Sequence, residues 1–456
     1  MKSPMTRRTF TSAAAVTTMT ALSASRVYGA NNLVRLAFLG CGNRGDQLLD
    51  AFLDTANAAP MAFCDLNDDY LKHAEGKISG LINKGKDYRQ ILDNKDVDAV
   101  VIATPDHWHA LQTIESLQAG KHVYVEKPLS LCVAEGRAMV DAAAKSKKMV
   151  QVGFHRRSAN FCKEAVELIR RGDIGDITLV RCFHLDNEYP YGIGNPNDEK
   201  QPPDPKTFDW DKWVGPAPMK AYNVNRTFYR FRWFYDYSGG QVTNMGAHYL
   251  DMIQWALGVD APLSVSAMGG KFVVKDNREI PDTLQVNYLY PNNTLVTFTQ
   301  VNANAAAGAM EKGCEIEFRG TKGTLYVYGK HYIILPETNM GVAYPAQNPI
   351  DRTLMAKYRG SGKAQLVGKK VEGNADTKWH TRNFIASINA ESGGKQPNCP
   401  IDVGHRSTTA ALIGNIALKK RMTLDWDAKN EQFSNNKEAN ALLKYEYRSP
   451  LKFPTA

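Results

Sequence analysis

The chain has 456 residues, 43% hydrophobic and 23% charged, an ordinary globular composition with a length that suggests about two domains. No stretch comes near the roughly 18 apolar residues of a membrane span, so a stable membrane anchor is not expected. The formal net charge of +9 is spread among acids without a long basic block, which argues against a nucleic-acid-binding surface.

Four of the surplus positive charges, Lys2, Arg7, Arg8 and Arg26, fall within residues 1–30, which hold no acid. The paired arginines, Phe10, an Ala/Thr/Val stretch and small residues ending near Ala30 have the form of a twin-arginine export signal. That reading places the mature protein in the periplasm or otherwise outside the cytoplasm, delivered folded by the twin-arginine machinery. Seven widely spaced cysteines without a CxxC motif suggest neither a disulfide framework nor a metal site.

Folded structure is expected from Leu33. The apolar run Val34–Leu39 reads as a central strand. Gly40-Cys41-Gly42-Asn43-Arg44-Gly45 follows, and then Leu48, Leu49, Phe52 and Leu53 recur at helical spacing. A GxGxxG turn between a strand and a helix is the setting in which this motif holds a dinucleotide. Gly40 permits the tight turn, Gly42 the approach of the pyrophosphate, and Gly45 close helix packing. The helix N-terminus offers free N–H groups to the phosphates. A second apolar run ends at Asp65, twenty residues past Gly45, where such folds place the acid that holds the ribose hydroxyls. A carboxylate there repels a 2′-phosphate, so NAD is expected and NADP is disfavoured.

The alternation continues. Residues 97–105 read as a strand, 109–120 as a helix, 122–125 as a strand, 133–148 as a helix and 149–154 as a strand. Such alternation predicts a doubly wound parallel sheet covered on both faces. Ligands bind at the carboxyl ends of those strands, where Gly40, Asp65, Thr104, Pro105, Glu126, Lys127 and His155 fall. Lys127 is therefore expected at the mouth of the sheet, facing a nicotinamide. The competing reading makes it an ion-pair partner of Glu126.

The motifs GCGNRG, ATPDHWHA, EKPLSL and GGQVTNMGAHYLDM occur in this order. Together they resemble the glucose–fructose oxidoreductase / inositol dehydrogenase / MocA (Gfo/Idh/MocA) family over roughly residues 33–425. The resemblance implies an N-terminal Rossmann domain (33–155) and a C-terminal α/β domain with an open, mainly antiparallel sheet (156–425). Residues 426–456 are left as an extension. It further implies nicotinamide chemistry on sugars or polyols and assembly as a homo-oligomer, dimer or tetramer. Cofactor contacts map to Gly40, Gly42, Asn43, Arg44, Gly45, Asp65, Thr104, Pro105, His109, Glu126 and Lys127. The EKP lysine, here Lys127, contacts the reacting hydroxyl. The family's Asp-x-Gly-x-His motif reads Asn244-Met245-Gly246-Ala247-His248. The histidine that serves as general base is kept, and an amide that cannot take a proton replaces the aspartate. Asn244, His155, Arg156 and Asp251 are the expected substrate contacts.

In the second half, 160–172 reads as a helix, ITLVRCFHL as a strand and 186–220 as a long loop. The aromatic and basic run after it offers Tyr229, Arg232, Trp233 and Tyr235 either to a sugar pocket or to a core. A helix then carries His248 and Asp251 on one face. The strands that follow read as hairpins of one antiparallel sheet. Residues 336–376 read as irregular, and 379–390 and 405–421 as late helices whose His380, Arg382 and His405 have no evident role.

The leading expectation is an oxidoreductase acting on a sugar, polyol or glycoside hydroxyl. Lys127 would orient that hydroxyl, and His248, at an ordinary pKa near about 6.5, would take its proton. Export favours a tightly held cofactor that returns to its starting state in every cycle. One chemistry of that kind is the NAD-dependent glycoside hydrolysis of a related branch, by oxidation, elimination, hydration and re-reduction. That branch typically lacks the EKP lysine, which ranks the hydrolase second. A non-catalytic sugar-binding protein on the same fold is the third reading.

Overall fold

The computed structural model describes residues 32–80, 82–194, 204, 206–306, 312–339, 350, 360–390 and 396–456. The export signal read in residues 1–30 lies outside them.

Strand β1 (Val34–Leu39) is buried almost throughout, as expected of a parallel strand covered on both faces. It pairs in parallel with β2 (Ala58–Cys64) on one side and β4 (Ala99–Ile102) on the other. With β3 (Asn83–Gly85), β5 (His122–Val125) and β6 (Val150–Val152) it forms a six-stranded parallel sheet of order β3-β2-β1-β4-β5-β6. The order reverses between β1 and β4, which opens a crevice at their carboxyl ends. The core of this sheet is completed from the far end of the chain. Phe384 and Ile385, on the helix Thr377–Asn389, pack with Phe52 and Tyr124, and Thr381 shares a 2.8 Å hydrogen bond with Thr55.

The second sheet has ten strands: β7 (Ile177–Leu185), β8 (Ser264–Gly270), β9 (Thr283–Tyr290), β10 (Thr294–Val301), β11 (Cys314–Gly320), β12 (Gly323–Tyr328), β13 (His331–Pro336), β14 (Lys369–Glu372), β15 (Leu424–Asp427) and β16 (Gln432–Phe433). Their order is β14-β13-β12-β11-β7-β10-β9-β8-β15-β16. The hairpins expected from the Pro-Asn-Asn turn and the 314–328 run are present, but the sheet is mixed. β7 inserts between two hairpins and pairs in parallel with β10, in register from Leu179 opposite Leu295 to Leu185 opposite Val301. The reason is topological. Between β7 and β10 the chain runs through the helix Gln241–Leu257, a crossover long enough to return it in the same direction.

Three further expectations are refined. The 186–220 loop contains the short helix Trp210–Val214, β14 emerges from the stretch read as irregular, and the last long helix begins at Ile401 rather than 405. The helix Gln241–Leu257 is enclosed by the sheet and by the helices Asn160–Arg170 and Ile401–Lys420, so most of its residues are buried. Among the described residues, no helix is long and apolar enough to cross a membrane.

Candidate active site

The glycine turn has the shape a dinucleotide needs. Gly40 has φ +88°, and a Cβ there would lie 2.7 Å from Thr104 N, across the crevice between β1 and β4. A Cβ on Gly45 would clash with Gly40 O. The helix Asn43–Leu53 starts after Gly42 with no side-chain cap, which leaves its first N–H groups available to an anion. Asp65, at the end of β2, accepts hydrogen bonds from Cys41 N (2.7 Å) and Asn67 N (2.8 Å). Burial pushes its carboxyl up to about 6 against the pull of those N–H groups. These residues fit NAD: an uncapped helix end for the pyrophosphate and a half-buried acid for the ribose.

Glu126 and Lys127 extend from the end of β5, and the two side chains part company. Glu126 Oε1 accepts from Arg44 Nε at 2.8 Å, and a Cβ on Gly153 would lie 2.7 Å from the Glu126 carboxyl carbon, so only glycine leaves it room. Lys127 Nζ instead crosses to the second half of the chain. It donates to Asn244 Oδ1 at 2.8 Å and to Asn244 O at 3.1 Å. Burial lowers the lysine to about 8; Glu126 and Asp106 oppose the shift, and Arg232 and Arg44 add to it.

One turn beyond Asn244, the His248 ring meets His155 edge-on at 5.1 Å and Phe154 at 5.8 Å. Burial, reinforced by Lys127, His155, Arg156 and Arg44, holds its imidazole well below 6.5 rather than at the ordinary value. It is neutral at physiological pH, and its Nδ1 has no partner among the described residues. His155 is likewise depressed by burial, with an unpartnered Nδ1.

Two residues expected at the substrate have other partners. Arg156 pairs with Glu315 at 2.7 Å, and Asp251 takes Arg157 Nε at 2.9 Å and the Ser407 hydroxyl at 2.7 Å. Both lie buried, and a buried charge requires such compensation. His109 acts as a strut: its ring nitrogens lie 2.8 Å from Pro128 O and 2.9 Å from Thr104 O, tying the loop after β4 to the EKP segment. Thr104 itself bonds Gln112 at 2.7 Å. The aromatic-basic run divides. Trp233 is core, beneath Arg278 at 4.0 Å. Arg232 lies over Tyr229 at 4.5 Å and contributes to the field at Lys127, and Tyr229 is exposed. Tyr235 is covered by Lys419 at 4.2 Å.

Asp106 is a site residue that the sequence motifs do not single out. It is buried, accepts from Ser238 Oγ at 2.5 Å and is held up by burial against His109, Arg232 and Lys127. Its signal was its position inside ATPDHWHA, directly after the end of β4. His380 and His405 are structural: His380 bonds Ser158 and Val152 O, and His405 bonds Glu431.

This is the site of a Rossmann-fold protein whose nicotinamide-dinucleotide crevice is met at Lys127 by the helix Gln241–Leu257 of the second, mixed-sheet half. Residues 34–154 match the NAD-binding Rossmann fold of the Gfo/Idh/MocA oxidoreductase family, and residues 182–338 match its C-terminal alpha/beta domain. The chain belongs to that family. It is similar to the glycosyl hydrolase family 109 protein 1 of Shewanella sp. (strain ANA-3), 30% identical over 156 residues. That match spans 32% of this chain and 33% of the relative. The fold is similar to a levoglucosan dehydrogenase solved with NADH and levoglucosan (TM-score 0.61, 18% identity, covering 86% of this chain and 99% of that one). It is also similar to scyllo-inositol dehydrogenase from Lactobacillus casei with NAD(H) and scyllo-inositol (TM-score 0.58, 19% identity, 86% and 99%).

Proposed function

We propose that the protein is an NAD-dependent oxidoreductase that acts on a CH–OH group of a sugar, polyol or glycoside, with Lys127 and His248 at the reacting centre. The observation that carries the reading is the convergence of the Lys127 ammonium, fixed 2.8 Å from Asn244 Oδ1, and the neutral His248 imidazole, one turn past Asn244 on the same helix, beside the dinucleotide crevice. The bound nicotinamide supplies the hydride chemistry. The chain's own residues manage the proton. Oxidation of a carbinol removes a hydroxyl proton, and the neutral imidazole accepts it. Two hydrogen bonds to Asn244 leave the ammonium one proton to direct at the hydroxyl oxygen, where it stabilises the growing negative charge. Asn244 orients the lysine and adds no charge of its own. The test is absorbance at 340 nm on mixing the NAD-loaded protein with a panel of sugars, polyols and aryl glycosides. No spectral change with any of them, and no product, would refute the reading.

A second reading, glycoside hydrolysis by transient oxidation, is favoured by the likeness to the family 109 hydrolases. It predicts release of the aglycone from an aryl glycoside without net change of cofactor. A net dehydrogenase instead accumulates NADH.

We further propose export through the twin-arginine route, from Arg7 and Arg8, and assembly as a homo-oligomer. Normal delivery of the Arg7→Lys/Arg8→Lys variant would refute the first. A monomer in analytical ultracentrifugation would refute the second.

A further inference from the structure

The segment between Lys206 and Tyr237 lies within the C-terminal domain, yet it reaches residues that follow three parallel strands at their carboxyl ends. Beyond β2, Tyr70 lies directly under the glycine turn, since a Cβ on Gly42 would meet its Cε2 at 3.0 Å. Phe228 packs edge-on against that same ring, with centroids 6.2 Å apart, and is backed by Phe208 at 5.2 Å. Beyond β3, Lys86 pairs with Asp68 at 2.9 Å and also donates to Lys206 O. Beyond β4, Trp108 Nε1 donates to Trp213 O at 3.0 Å, and a His107 ring nitrogen lies 3.0 Å from the same carbonyl. Leu66, next to Asp65, packs on the apolar cluster of this segment. Phe228 also has φ +49°, a left-handed conformation that costs a non-glycine residue energy and that surrounding contacts must hold in place.

We propose that this segment is a latch over the cofactor crevice, and that Tyr70 and Phe228 are cofactor-retaining residues. Bridges beyond all three strands flank the groups that would hold the dinucleotide, the Gly42 turn and Asp65. A bound dinucleotide leaves only when the Phe228–Tyr70 contact opens. The cofactor therefore stays through many turnovers, which suits a reaction that restores it within each cycle. The latch rests on the dinucleotide-binding part of the proposed function and not on the identity of the sugar.

The experiment reads exchange, not activity. Protein carrying NAD is diluted into excess isotopically labelled NAD. The bound cofactor is then recovered by denaturation at intervals, and its isotope composition is measured by mass spectrometry. Wild type should exchange far more slowly than it turns over. Phe228→Gly removes the aromatic contact and relaxes the left-handed backbone, so it should keep its melting temperature and exchange several-fold, up to about tenfold, faster, a loss on the scale of one aromatic pair. Phe228→Tyr should behave as wild type. Lys86→Met, which breaks a separate bridge, should also speed exchange and serves if Phe228→Gly does not fold. Exchange at the wild-type rate in folded Phe228→Gly or Lys86→Met, or wild-type exchange within the mixing time, would overturn the latch alone. A wild type that binds no NAD at any concentration would overturn both the latch and the reading beneath it.

Discussion

Lys127 and Asn244 lie 117 residues apart in the chain and 2.8 Å apart in the fold, and this hydrogen bond joins the parallel sheet to the helix that carries His248. The same contact argues against the ion-pair reading of the EKP lysine. Glu126 is already engaged by Arg44, so Lys127 is not its ion-pair partner through the side chain. The ammonium is held by a neutral amide in a half-buried place that lowers it to about 8, and its charge is correspondingly easy to lose.

Lys127→Met removes a cation from a cleft and leaves no void in the apolar core, so folding and NAD binding should be nearly unchanged. Turnover should fall on the order of a hundredfold or more, the scale of a single charge-stabilising or proton-transfer group. His248→Ala should have an effect of similar size. Melting curves and steady-state kinetics on the first active substrate check both. A large drop in melting temperature with turnover preserved would make Lys127 a structural residue.

Asp65 predicts a pH dependence for cofactor binding. In the free protein its carboxyl is raised by burial to about 6, so it is protonated below that pH and ionised above it. The ribose hydroxyls are held by the carboxylate, so NAD affinity should weaken as pH falls through about 6 and be level above it. Asp65→Asn should flatten the curve and narrow the gap between NAD and NADP. Fluorescence titration from acid to neutral pH measures this. A wild type that already prefers NADP would refute the role given to Asp65.

What could be read in the chain was local. The GxGxxG turn, Asp65 and the EKP lysine each stand at the end of an apolar run, and a parallel sheet puts all such ends on one edge. What could not be read depended on distant partners. The parallel pairing of β7 with β10 joins residues more than a hundred positions apart, and a period-2 pattern looks the same whichever way the neighbouring strand runs. The charges of Arg156 and Asp251 resembled substrate contacts because Glu315 and Arg157, which compensate them, are brought there only by the fold. Arg232 and Trp233 are adjacent, yet one reaches toward the cleft and the other the core. They sit in a 3₁₀ turn, whose period of about three residues sends adjacent side chains to different faces.

The C-terminal residues should matter to stability. Glu135, on the helix Val133–Ser146, has no exposed surface, and its Oε1 accepts from the hydroxyls of Tyr445 (2.9 Å) and Tyr447 (2.6 Å). Tyr445→Phe/Tyr447→Phe keeps the packing and strips both donors from a buried carboxyl, a change expected to cost about 3 kcal/mol. Urea denaturation of the double variant tests this. A loss well below 1 kcal/mol would mean that water replaces both hydroxyls.

Asn244→Asp places a carboxylate 2.8 Å from the Lys127 ammonium, and the outcome discriminates between roles for the lysine. In the wild type the ammonium form is full below about 8 and is lost above it. If the charge stabilises the developing alkoxide, kcat/KM should fall as pH rises through that value. The His248 imidazole, held well below 6.5, should put the acidic limb further down. An adjacent negative charge favours the ammonium, so Asn244→Asp should move the alkaline limb upward by about one pH unit or more. Lys127→Met should abolish that limb altogether. A rate that instead climbs through about 8 in the wild type would make the neutral amine the proton acceptor and remove His248 from that task. An alkaline limb that stays in place in Asn244→Asp would assign it to a group other than Lys127.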